Sequence, residues 1–104
     1  MRPEKFQLNL KFADRGPETP ERLMNAEGLL RDELGFGTVE GNDLPNGGTT
    51  LWILTEQPAA CLQAALRLLR SIQVLPVAAT YQSLQHDPQG RAVAAGPSFD
   101  LPLL

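Results

Sequence analysis

Phe6, Leu8, Leu10 and Phe12 alternate with Gln7, Asn9 and Lys11 near the start of the chain. Successive side chains of a strand point to opposite faces, so this alternation describes a strand with one apolar and one polar face. A sheet built around it has one side packed and one side turned toward water.

Two helix patterns follow. Thr19 is placed to cap the first, with Pro20 at its first position and Glu21 in its first turn. Leu23, Ala26, Leu30 and Leu34 form one narrow apolar stripe, and Gly35 or Gly37 is expected to end the helix in the left-handed conformation. Glu27 lies at the edge of that stripe and is expected to reach water. Pro58 opens the second helix. Leu62, Ala65, Leu66, Leu69 and Ile72 give it a wide stripe, flanked by Cys61 and Leu68, with Gln63, Arg67 and Arg70 opposite.

Strand patterns fill the intervals. Thr38, Val39 and Glu40 read as a short strand, and Pro45-Asn46-Gly47 as the turn after it. In residues 49–55, Leu51, Trp52, Ile53 and Leu54 are apolar on both faces, which predicts a central strand. Residues 77–84 form a further strand, with Val77, Ala79 and Tyr81 on one face. Asp87-Pro88-Gln89-Gly90 signals a turn that folds residues 91–95 back as a short fifth strand. Residues 96–104 contain two prolines and no period, and read as a tail after a single domain of residues 1–95.

The order strand, helix, strand, strand, helix, strand divides the chain into halves of about 45 residues, the size of a βαβ unit or slightly more. The expected fold class is α+β: a ferredoxin-like two-layer sandwich (βαββαβ) with an antiparallel sheet and both helices on one face. On the open face, the third strand must present either Trp52 and Leu54 or Leu51 and Ile53. That surface is expected to be covered by the tail through Phe99 and Leu101, or to serve as a contact site.

Composition limits the chemistry. Of 104 residues, 9 are Lys or Arg and 12 are Asp or Glu, a net charge of -3, which disfavours a phosphate-neutralising nucleic-acid binder. One cysteine allows neither an intramolecular disulfide nor a multi-cysteine metal site, so no cofactor or metal is expected. No early apolar run suggests a signal peptide and no stretch is long enough to span a bilayer, so a cytoplasmic protein is the expectation. Cys61 beside the apolar stripe reads as an inert buried thiol, and His86 beside a turn as a solvated side chain. Glu40, Asn42 and Asp43 gather around Gly41. They are placed to meet a cation or a basic partner, although Asn and Asp also make turns by bonding their own backbone. Arg15 sits in the loop before the first helix, where helix N–H groups favour an anion but Glu18 and Glu21 oppose one.

Val39-Glu40-Gly41-Asn42-Asp43-Leu44, followed by Gly47-Gly48-Thr49-Thr50-Leu51-Trp52-Ile53-Leu54, resembles a segment of small bacterial proteins of unassigned function that share the βαββαβ order. The resemblance implies a small bacterial cytoplasmic protein and no reaction. The expected function is a non-catalytic interaction module, not an enzyme, that self-associates or binds a protein partner through the open sheet face. Trp52, Leu54, Glu40, Asn42, Asp43 and Arg15 are its candidate contacts. Two alternatives stand beside it. One is a small-molecule regulatory domain of the ACT type, using the loop at Asp14–Gly16. The other is an immunity-type protein that neutralises a bacterial toxin through the acidic Glu40/Asp43 hairpin.

Overall fold

The structure, a computed structural model, describes residues 5–44 and 47–103. The elements run β1 (Phe6–Lys11), α1 (Thr19–Glu33), β2 (Thr38–Asn42), β3 (Thr50–Thr55), α2 (Pro58–Ile72), β4 (Ala78–His86) and β5 (Ala92–Asp100). The fold is α+β: the five strands form one antiparallel sheet in the order β2-β3-β1-β4-β5. Among the described residues no helix is long and apolar enough to cross a membrane.

Register decides which residues become core. Leu8 pairs with Ile53 and Leu10 with Leu51, so these four side chains share a face. All four are fully buried, together with Leu23, Ala26 and Leu30 of α1 and Leu62, Ala65, Leu66 and Leu69 of α2. Both helices therefore cover that one face. The partners left over, Asn9 opposite Trp52 and Gln7 opposite Leu54, lie on the other.

The ends of α1 differ from expectation. Glu18, not Thr19, occupies the N-cap position, and it makes no side-chain capping bond. Thr19 is buried and its Oγ1 accepts a hydrogen bond from the Arg15 amide at 2.7 Å, closing the preceding loop instead. The helix stops at Glu33, with Leu34 extended as its C-cap. Neither Gly35 nor Gly37 is left-handed. Gly37 serves close packing: a Cβ there would stand 2.8 Å from both Ile53 Cγ2 and the Leu54 carbonyl oxygen. Ile72, expected in the core stripe of α2, is 38% exposed, because the helix ends there and turns through a left-handed Gln73.

The C-terminal segment also differs. Residues 96–100, read as tail, continue β5 to Asp100. The register moves from Ser83↔Ala95 to Tyr81↔Phe99, so β5 carries two extra residues opposite Gln82. Gly96 has a positive φ of 80° in this bulge, and its carbonyl accepts from Gln82 Nε2 at 3.1 Å. Pro97, which has no N–H to give a ladder, sits where pairing is already interrupted. Beyond the strand, the Leu101 amide donates to the Ala79 carbonyl, and Leu101 and Leu103 pack against the core. The described part of the tail thus docks on the helix side, away from the open face of the sheet.

The turn between β4 and β5 has the expected residues. Asp87 Oδ1 accepts from the amides of Arg91 and Gln89, and Oδ2 from Arg91 Nε. These bonds, led by the Arg91 amide, hold the Asp87 carboxyl below the usual carboxylate range. The expected turn at Pro45-Asn46-Gly47 falls partly on residues 45 and 46, outside the described residues.

Candidate functional site on the open sheet face

Gln7, Asn9 and Lys11 of β1, Thr50 and Trp52 of β3, and Ala78, Thr80 and Gln82 of β4 line a shallow hollow on the open face. Its centre is organised by side-chain amides. Gln7 Nε2 donates to Asn9 Oδ1 at 2.8 Å, and Asn9 Nδ2 donates to Thr80 Oγ1 at 3.3 Å. Trp52 is half-buried beside this row. Its neighbour on β2 is Gly41, which has no side chain to cover the ring; a Cβ there would lie 3.7 Å from Trp52 Cε3. Leu54 lies on the same face and is also half-buried. The strand-pairing register thus resolves the alternative left open by the sequence: Trp52 and Leu54 face outward, Leu51 and Ile53 inward.

The acidic candidates are placed differently. Asn42 Oδ1 accepts from the Leu44 amide at 2.9 Å, and Asn42 Nδ2 donates to Glu27 Oε1 at 2.6 Å. Asp43 Oδ1 accepts from the Thr50 amide at 2.7 Å, bracing the β2–β3 hairpin. Asn42 and Asp43 are therefore occupied in turn, hairpin and strand-to-helix bonding. Glu40 is exposed at the register shift between Val39 and Gly41, and its carboxylate faces water.

Glu27 does not extend into water as expected: its side chain is only 13% exposed. Its carboxylate takes Arg31 Nη2 at 2.6 Å and Nε at 3.1 Å, besides Asn42. Arg31 Nη1 in turn donates to the Val39 carbonyl at 3.2 Å. These bonds fasten α1 to the edge strand β2, which carries few core side chains of its own. The one signal of this link along the chain is the Glu27/Arg31 spacing of four; the partner Asn42 is brought in by the fold.

No family model, curated protein or solved structure matches this chain.

The remaining nucleophile and base candidates stay apart. Cys61 is fully buried, and burial pushes its thiol up to about 11, against a smaller opposing hydrogen bond with Thr55. A thiol so placed is a poor nucleophile at neutral pH. His86 is exposed on β4 beside the turn. Among the described residues no three His, Cys, Asp or Glu side chains are grouped to hold a metal ion. Arg15 is exposed and lines a separate cleft on the helix side of the sheet. The structure does not bring it near Trp52 or the β2–β3 hairpin candidates.

Proposed function

We propose that this chain is a non-catalytic interaction module of the ferredoxin-like βαββαβ class, related to small bacterial cytoplasmic proteins, that self-associates through its open sheet face. The observation that carries the reading is Trp52, half-buried on a face that neither the helices nor the C-terminal segment covers. A tryptophan beside a row of mostly uncharged polar side chains, with Lys11 as the charged one, has the make-up of a contact anchor. Glutamine, asparagine and threonine both donate and accept, so a second copy of the same surface can satisfy them. Lys11 lines the hollow and Asp100 stands opposite Thr80 at its β5 side, so a lysine of one copy has an aspartate of the other to meet.

The test is sedimentation over a concentration series, with Trp52 fluorescence recorded alongside. The expected result is a concentration-dependent dimer whose Trp52 emission moves to the blue. Trp52→Ala should weaken association about 30-fold or more, the effect of losing a contact anchor. A chain that stays monomeric with a water-exposed Trp52 refutes self-association. Among the described residues the immunity-type alternative retains only Glu40 as an unengaged acid of the hairpin, since Asp43 is bonded to Thr50. A small-ligand role would use a different surface, the cleft beside the Asp14–Gly16 loop.

A further inference from the structure

Three arginines, two from around the start of α1 and one from the end of α2, line one cleft. Arg15 comes from the β1–α1 loop, Arg22 from the second turn of α1 and Arg70 from the last turn of α2. The cleft has a volume of about 450 Å³, within the range of small-molecule sites. Among the described residues no aspartate or glutamate lines it, although the chain as a whole carries a net charge of -3. Glu18 and Glu21, which in the sequence oppose an anion here, are exposed and do not line the cavity.

The three guanidinium groups are poorly neutralised. Arg15 and Arg70 make no side-chain hydrogen bond or ion pair among the described residues. Among the described residues Arg22 meets only Glu18, at 4.0 Å and with both side chains largely exposed, a contact worth little in water. The C-terminal end of α2 contributes partial negative charge that the arginines must outweigh. Two of its last carbonyls are satisfied locally, the Gln73 amide donating to Arg70 O and the Val74 amide to Leu69 O. Beneath the arginines the wall is apolar: Phe12 and Leu23 are buried, and Leu75 is 48% exposed.

We infer that this cleft binds a small organic anion, its carboxylate or phosphate held by Arg15, Arg22 and Arg70 and its apolar body laid against Phe12 and Leu75. Arginine donors match either anionic group in a forked geometry. The exposed Leu75 side chain gives the ligand body an apolar surface to cover. The site lies on the helix side of the sheet and does not depend on the proposed contact through Trp52.

The experiment is an NMR titration of backbone amides with three probes of similar body: hydrocinnamate, phenethyl phosphate and the neutral phenethyl alcohol. The expected result is saturable shifts at Ala13, Thr19, Gln73 and Leu75 with at least one anion, in the millimolar range or tighter. The alcohol should bind at least about tenfold more weakly, the loss of one charge-assisted hydrogen bond. The tighter of the two anions identifies the head group. Arg70→Ala and Arg15→Ala should each weaken binding about tenfold or more, while Arg67→Ala, on the same helix but outside the cleft, should not. Equal binding of the alcohol, equal effects of Arg67→Ala and Arg70→Ala, or no saturable shift with either anion overturns the inference. Inorganic phosphate binding as tightly as phenethyl phosphate overturns its apolar half. Far-UV circular dichroism of each variant checks that the fold is retained.

Discussion

Gly48 offers a sharp test of the β2–β3 hairpin. Its φ is not positive, so the backbone itself accepts a side chain. The obstacle is Asp43: a Cβ on Gly48 would fall inside the van der Waals envelope of the Asp43 carboxylate. That carboxylate accepts from the Thr50 amide at 2.7 Å, and the Gly48 amide donates to the Asp43 carbonyl at 2.9 Å. In Gly48→Ala the carboxylate must swing away, losing a charge-assisted bond worth about 1.5–3 kcal/mol. Alanine repays about 0.4–1 kcal/mol by restricting the unfolded chain. The expected net loss is about 1–2 kcal/mol, or a fall in Tm of roughly 4–16 °C for a domain of this size.

Asp43→Ala removes the same bond without the clash, and should cost about 1.5–3 kcal/mol. In that background the obstacle is gone, so adding Gly48→Ala should be neutral or stabilising by about 0.4–1 kcal/mol. The sign of the glycine substitution therefore reverses between the two backgrounds, and a double-mutant cycle reads that reversal as coupling. Urea unfolding followed by Trp52 fluorescence and circular dichroism measures all four proteins. A Gly48→Ala cost that is the same with and without the Asp43 carboxylate would refute the reasoning.

Two further outcomes follow from burial. Leu66→Ala, at a fully enclosed site of α2, should cost about 2–5 kcal/mol, whereas Ile72→Ala on the same helical stripe should cost about 1 kcal/mol or less; equal losses in urea unfolding would contradict the observed end of the core. Cys61 ties stability to alkaline pH. Its thiol ionises at about 11 in the folded chain but near its ordinary value when unfolded, so the unfolded state holds fewer protons in the interval between. Stability should be undiminished below that interval and fall through it by up to about 2–3 kcal/mol as pH rises. Cys61→Ala should lack this component, and identical alkaline slopes for the two proteins would show that burial does not set the thiol's ionisation.

Local pattern and long-range pairing divided the fold between them. The alternation at Phe6, Leu8, Leu10 and Phe12 is a property of one segment, and it marked β1 and its two faces without reference to anything else. The outward face of β3 was not legible in the same way. Leu51 and Ile53 are as apolar as Trp52 and Leu54, and the choice is made by pairing Leu8 with Ile53 across the sheet. The later half of β5 was hidden for a different reason. Its two extra residues break the period of two, and Pro97 within them reads as a strand breaker. At the end of α1, Gly37 suggested a helix cap when its absent side chain instead makes room for Ile53 and Leu54.

The candidate sites show the same division, with the sign of charge as the clearest case. Glu40, Asn42 and Asp43 are adjacent in sequence and look like an acidic cluster. Folding commits Asn42 to Leu44 and Glu27, and Asp43 to Thr50, which leaves Glu40 unengaged at the register shift. Arg15, Arg22 and Arg70 show no cluster in sequence, yet the β1–α1 loop and the ends of two helices bring them to one cleft. A net charge of -3 would suggest that anions are turned away from this chain. Charges on a small domain act over about a Debye length of 8–10 Å, so an approaching ligand meets the local set and not the total. At this cleft the local set among the described residues is three cations and no lining carboxylate, and it is therefore the placement of Arg70 at the end of α2, more than the overall composition, that decides which ligands the proposed site can hold.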